Sequence, residues 1–554
     1  MNLIKHSKMA HLQKNKGTLI IISTIAVAFL LIFAIYKVRF SNSNLLTEHC
    51  AMLPGTDGCE KYRGQYTETS QTFTRSIDGL SLVKESTVYE SSKDEIMPLE
   101  INPVEKTIGG KKIRMYGYNG EIPGPLIKVK QGETIYINVT NNLDMETTIH
   151  WHGIRLKNQF DGVPMTTQEA IQPGKSFLYE LNFPDAGIYW YHPHAREDYQ
   201  QELGLYGNIL VVPNKDDYYN KVNREEFIFL DDIQLTGGDI TPVYKDKINQ
   251  VLMGRFGNVM LINGKESYDM TVKKGDVVIF YLTNAANTRL FNFSIENNRL
   301  KVIGSDGGSY EKEFFANSVI IAPSERSVVE VLFDKPGEYK IKHVNPDNTY
   351  ILGKIKVLNE NTNIDYSSQF SIIKENKYVK EEVEKYKSYL NEDPDVNLKL
   401  DVDLPGMRMM GQMMQMNHAD ESGLEWEDVM QMMNFGSTNN VIDWKITDTK
   451  TGLSNMKIQY KWKLGDKIKF RITNDKNSPH PMQHPIHLHG QRFLVLSTDG
   501  VPNDNLVWKD TVLVPTGKSI DILVDMTNPG KWMTHCHIAE HLSDGMMFEF
   551  EVNE

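Results

Sequence analysis

The chain has 554 residues, 40% hydrophobic and 24% charged, with a formal net charge of −12 and an isoelectric point near 5.8. That length is too great for one hydrophobic core and implies several domains. The acidic balance argues against nucleic acid, which requires a basic footprint.

Residues 1–17 carry Lys5, Lys8, Lys14 and Lys16, and the run Thr18–Tyr36 that follows is uncharged and apolar over 19 residues. At helical rise this run spans about 28 Å, near the thickness of a bilayer core. The flanking lysines predict a cytoplasmic N-terminus, a transmembrane signal-anchor over 18–36 and the bulk of the chain on the outer side of the cell membrane, periplasmic or extracellular. A cleaved signal peptide, giving a secreted form, is the alternative, although its apolar core is normally shorter. Residues 37–84 lack clear periodicity and read as a stalk or arm. Cys50 and Cys59 lie there and could pair in an oxidising compartment.

An internal repeat sets the number of folded domains. The segments beginning Gly132-Glu133, Gly275-Asp276 and Gly465-Asp466 each run through an alternating strand to a Thr-Asn pair. Further on, Asp185-Ala186-Gly187, Lys335-Pro336-Gly337 and Asn528-Pro529-Gly530 form a second set. Period-2 strands bounded by Gly, Pro and Asn predict an all-β chain of three consecutive β-sandwich domains, over 85–215, 222–360 and 435–554. The first two repeats lie 143 residues apart and the second and third 190. The excess falls in 361–434, read as a linker with a methionine-rich insert.

Histidines cluster in the first and third domains only. His150-Trp151-His152 and His192-Pro193-His194 belong to the first; His484, His487-Leu488-His489 and His535-Cys536-His537 belong to the third, with His541 and Met546 close behind. On a strand, residues two apart share a face and neighbours oppose one another. Cys536 can therefore serve one metal while His535 and His537 serve others. Two imidazoles, a thiolate and a weak axial thioether form the ligand set of a blue-copper site, and His484, Cys536, His541 and Met546 complete one. Eight imidazoles remain, enough for three further coppers. The second domain has no such cluster (Lys342 occupies the position matching His192 and His535) and reads as a spacer. The metal cluster is therefore expected between the first and third domains.

Nine of the 25 methionines lie between Met407 and Met433: Met407, Met409, Met410, Met413, Met414, Met416, Met430, Met432 and Met433. Thioethers are soft ligands that favour Cu(I). The surrounding Gln412, Gln415, Asn417 and Asp420 are polar, unlike a packed core, so the first six of these methionines read as a possible substrate-copper site. A flexible hydrophobic surface helix is the alternative.

The four clusters, in this order, resemble the four ligand motifs of the multicopper oxidases. The resemblance covers roughly residues 85–554 and implies cupredoxin-like Greek-key domains. It implies four copper ions: a type 1 copper on His484, Cys536, His541 and Met546, a type 2 copper on His150 and His487, and a type 3 pair on His152, His192, His194, His489, His535 and His537. It also implies that Asp161 relays protons near the cluster. Bacterial members often carry a second acid just after the last type 1 histidine; here that position is Leu542, with Glu540 on the other side of His541. The implied activity is oxidation of a reductant, one electron at a time, with O2 reduced to water. The methionine-rich segment resembles inserts of bacterial cuprous oxidases and favours Cu(I) as reductant, with copper tolerance as the role and laccase-like oxidation of phenols beside it. A ferroxidase of iron acquisition and a copper-sequestering scaffold without turnover are the alternatives. The complete ligand set argues against the scaffold.

Overall fold

The computed structural model describes residues 75–91, 95–243, 247–404, 419–428 and 442–554. The apolar run 18–36, Cys50, Cys59 and the nine methionines of 407–433 lie outside these residues. No helix among the described residues is long and apolar enough to cross a membrane.

The described residues build three two-sheet β-sandwiches. In the first, strands Ile96–Ile108, Lys111–Tyr118, Thr134–Asn141 and Ser176–Asn182 face a sheet that ends in Gly187–His192 and His150–His152. Their inward residues, among them Leu99, Ile137, Trp151 and Tyr191, close one core. The second sandwich pairs a six-stranded with a five-stranded sheet around Phe280, Phe293 and Val329. In the third, a seven-stranded sheet faces five strands that include His484–Leu488 and Gly530–Cys536.

Each Gly-acid…Thr-Asn repeat forms a strand in the middle of its sandwich, and each closing Asn has the same buried task. Asn141 donates to the Met145 and Ile171 carbonyls, both at 2.8 Å. Asn284 donates to those of Arg289 and Ile321, and Asn474 to those of Met482 and Val514. One amide thereby satisfies two carbonyls from separate stretches of chain, where unpaired groups would be costly.

The third sandwich begins earlier than the repeat spacing suggests. Strand Val396–Asp403, inside the segment read as linker, pairs in parallel with Lys467–Asn474 and antiparallel with Asp443–Asp448. Its buried and half-buried residues alternate strictly. The linker proper is the stretch holding helix Lys377–Glu384, whose Val379 and Val383 pack on Leu494, Leu523 and Trp508.

The sandwiches are bonded to one another. Two apolar clusters join the first to the second, one around Ile113, Trp190, Phe229 and Leu261, the other around Ile188, Leu210, Ile279 and Val328. The first meets the third through Asn158 to the Lys531 carbonyl at 2.6 Å and Asn528 to the Leu156 carbonyl at 2.8 Å. Asp185 also accepts from Arg155 and Arg492.

Candidate metal centre

Strand parity decides which side chain goes where. In Gly530–Cys536 and the residue after it, Cys536 faces into its own sandwich, while His535 and His537 face the first domain. In His484–Leu488, His484 and His487 are three residues apart and so point to opposite faces. Cys536 and His484 then meet: Sγ lies 3.6 Å from Nδ1 of His484 and 3.6 Å from Nδ1 of His541, and the two Nδ1 atoms are 3.3 Å apart. These are the edges of a small triangle of one sulfur and two nitrogens. Metal bonds of about 2.3 Å to sulfur and about 2.0 Å to nitrogen fit it. Met546 is fully buried, and its carbonyl accepts the Cys536 N–H at 3.1 Å.

The eight other imidazoles converge between the first and third domains. His152, His192 and His537 place ligand nitrogens within 4.8 Å of one another, and so do His194, His489 and His535. His150 and His487 bring their Nε2 atoms to 3.3 Å. Two trios and a pair thus account for the eight.

Outer hydrogen bonds fix the tautomers. His150 donates through Nδ1 to the Asp161 carbonyl at 2.7 Å, His487 to the Asp510 carbonyl at 2.8 Å, His535 to the Cys536 carbonyl at 2.9 Å, and His192 to the Pro193 carbonyl at 2.8 Å. His489 donates to Asp161 Oδ2 at 2.9 Å. Each proton on Nδ1 leaves Nε2 as a bare lone pair. His541 is reversed: Nε2 donates to the Leu252 carbonyl at 3.2 Å, leaving Nδ1 to face Cys536.

This arrangement tests whether metal fits. The Nε2 atoms of His489 and His535 lie 3.0 Å apart, lone pair against lone pair. Nε2 of His152, His192, His194 and His537 is buried without a hydrogen-bond partner. Acceptors crowded together in the interior are satisfied by a shared cation. Neutral imidazole with one thiolate is a copper donor set. The residues fit.

Burial, reinforced by neighbouring imidazoles, holds His152, His192, His487, His489, His535 and His541 well below 6.5. His194, His484 and His537 are lowered to about 3. Burial pushes the Cys536 thiol up, so a bound metal is what would draw off its proton. In the metal-free chain the folded state keeps these rings neutral, while the unfolded state protonates them near 6.5. The unfolded state therefore binds more protons between pH 6.5 and about 3, and stability falls as pH falls through that window. Melting curves of the metal-free protein are expected to be flat above the window and to drop steadily within it. Bound copper should delay the drop, because metal and proton compete for the same lone pairs.

The second domain is more than a spacer, because it supports both centres. Leu252, in helix Lys247–Met253, orients His541. The neighbouring Val251 carbonyl accepts from Trp444, whose ring lies 4.2 Å from that of His541. Asn287 donates to Glu540 at 2.6 Å and accepts from the Ala539 N–H at 2.9 Å. Beside His537 a pocket is lined by Glu197, Asp198, Gln201, Glu202, Asn287 and Ala539. Burial raises Glu197 to about 8 and Glu540 to about 7. Asp161 lies where its carbonyl and carboxylate reach histidines of two domains. Sequence reasoning missed Asp510, Leu252 and Glu197. Asp510 could have been found only from the register that sets His487 opposite Thr511.

Sandwiches of this kind, with a sulfur–nitrogen triangle in one and eight imidazoles at an interface, define a copper oxidoreductase. Comparison gives the family. Three family models described as multicopper oxidase match residues 100–216, 235–361 and 424–554. A multicopper oxidase of Staphylococcus epidermidis is 30% identical over 447 residues, covering 79% of this chain and 83% of the relative. Laccase-1 of Botryotinia fuckeliana is 27% identical, covering 79% and 78%. Among solved structures, a multicopper oxidase from Campylobacter jejuni described as a metallo-oxidase superposes with a TM-score of 0.64 at 25% identity, covering 86% of this chain and 98% of that one. The chain belongs to the multicopper oxidase family. It is a copper-dependent oxidoreductase that uses O2, with cupredoxin-like domains.

Proposed function

We propose that the protein is a cuprous oxidase of copper homeostasis, taking electrons from Cu(I) one at a time and passing them to O2. The Cys536 triangle with Met546 holds the type 1 copper, His150 and His487 the type 2 copper, and the two histidine trios the type 3 pair. Copper held there supplies one-electron carriers, which side chains lack, in the number that reduction of O2 to water requires. Asp161 relays protons, and the segment 18–36 holds the chain at the outer face of the cell membrane.

The observation that carries the reading is the methionine-rich stretch and its attachment. The described residues within it, 419–428, dock beside the electron-accepting triangle: Glu425 donates its N–H to Gln483 at 3.1 Å and accepts from the Gln483 amide at 2.8 Å, and Gln483 immediately precedes His484. The metallo-oxidase description of the Campylobacter jejuni relative supports a metal-ion reductant. Fe(II) is the second reading. It rests on the Glu425 carboxylate, buried in the same stretch with neither oxygen hydrogen-bonded.

The test offers Cu(I), Fe(II) and a phenol separately to the copper-loaded chain and follows oxygen consumption. It is repeated with Met407, Met409, Met410, Met413, Met414 and Met416 replaced by serine, which leaves the Glu425–Gln483 contact intact. Turnover of Cu(I) is expected to fall about tenfold or more, roughly 1.4 kcal/mol of transition-state stabilisation, with the phenol rate held. Equal changes for both reductants, or none, would overturn the Cu(I) assignment. Fe(II) turnover that exceeds Cu(I) turnover in the unmodified chain and survives the six replacements would favour the ferroxidase.

A further inference from the structure

We propose that Arg326, from the domain that contributes no copper ligand, is a positioning residue of the imidazole cluster, acting through Asp510. The inference rests on the copper assignment above. Arg326 opens the strand Arg326–Phe333 and is 1% exposed. Its guanidinium bonds to all three domains. Nε donates to the Ile188 carbonyl of the first at 3.1 Å, and Nη1 to the Ser324 carbonyl of the second at 2.8 Å. Both Nη atoms donate to the Asp510 carboxylate of the third, Nη1 to Oδ1 at 2.7 Å and Nη2 to Oδ2.

Asp510 touches two of the eight imidazoles. Its carbonyl accepts from His487 Nδ1 at 2.8 Å. Its Oδ1 lies 3.4 Å from His152 Nδ1 and accepts from Thr511 Oγ1 at 3.0 Å. One residue thus holds a ligand assigned to type 2 copper by a hydrogen bond and lies close against another assigned to type 3. A carboxylate buried this deeply needs a charge partner. The guanidinium fork fixes the carboxylate plane as well as its charge, which an ammonium would not do. The adjacent cation Lys509 is turned to Asp306 at 3.0 Å and Glu325 at 3.3 Å. Asp306 also accepts the Arg326 backbone N–H at 2.7 Å and so fixes the start of the strand.

The glycine of the first histidine motif supports this assignment independently. Gly153 has φ +86°, and a Cβ there would come within 2.2 Å of Asp510 Oδ2 and 3.0 Å of Arg326 Nη2. The turn after His152 is thus packed directly on the Arg–Asp pair. A ligand strand from the first domain, a carboxylate from the third and a cation from the second meet at one point.

The experiment uses the copper-loaded full chain and the variants Arg326→Lys, Asp510→Asn and the double. A graded chelator challenge follows the blue absorption of the Cys536 site, the type 2 electron paramagnetic resonance signal and the type 3 near-ultraviolet band. Each single variant is expected to lose the type 2 and type 3 signals at about 10–100-fold lower chelator, the usual cost of removing an outer-shell partner, while the blue band holds. The double variant should be no worse than the worse single, because both act through one contact. The inference is overturned if the cluster signals resist chelator as in the unmodified chain, if blue and cluster signals decline together, or if the two effects multiply. If Arg326→Lys does not fold, Asp510→Asn decides the matter alone on the same signals. Absence of cluster copper in the unmodified chain would instead overturn the copper assignment, and this inference with it.

Discussion

Replacing Cys536 with serine is expected to abolish oxygen consumption with every reductant while copper remains on the eight imidazoles. The thiol sulfur forms two sides of the triangle with His484 and His541, and a hydroxyl is a shorter, harder donor that suits copper poorly there. The blue colour, which comes from sulfur coordination, should vanish. The same residue is also the covalent link between the centres. His535 and His537 adjoin it in sequence, and its own carbonyl accepts from His535 Nδ1 at 2.9 Å, adding a hydrogen-bonded shortcut to the chain path. The cluster draws no ligand atom from Cys536, so its copper content should stay near that of the unmodified chain. Copper analysis beside an oxygen electrode checks this. Residual turnover above about one-hundredth, a loss of under 3 kcal/mol, would show that electrons enter by another route.

The second large effect is expected at Asp161, where two substitutions separate two roles. Asp161→Ala removes the acceptor for His489 Nδ1, so copper should be held about 10–100-fold less tightly. Asp161→Asn keeps an oxygen in that place and should keep the copper. It cannot carry a proton as a carboxyl group does, and proton transfer by a placed side chain is worth about 10²–10⁴-fold. Asp161→Asn is therefore expected to bind copper fully, to accept electrons at the Cys536 site at the normal rate, and to reduce O2 at least about a hundredfold more slowly. Full copper with undiminished oxygen reduction would limit Asp161 to orienting His489.

The candidate ligand residues were legible in the sequence because their chemistry is rare and their spacing is short. Three cysteines and 16 histidines in 554 residues make His535-Cys536-His537 conspicuous, and the parity of a strand divides its side chains between two faces. The repeat strands were legible for a similar reason, since each carries its own turn and its own closing Asn. Asp510 and Arg326 carry no such mark. Trp508-Lys509-Asp510 reads as an ordinary strand end, and its Asp matters only because a pairing register sets it beneath His487 and His152. Leu252 acts through a backbone carbonyl, which any residue would supply. The strand Val396–Asp403 had a legible alternation, but the charged and methionine-rich surroundings obscured it as the start of the third sandwich.

The division of the imidazoles between distant parts of the chain also sets an order of events during biosynthesis. A ribosome makes His150, His152, His192 and His194 more than 300 residues before His535 and His537. Until the later strand is made and docked, the first domain presents an unfinished cup of nitrogen donors, and any ion that settles there lacks half its ligands. Correct metal capture thus waits for the third domain to close against the first. The two sets of imidazoles come together only once the third domain has closed against the first.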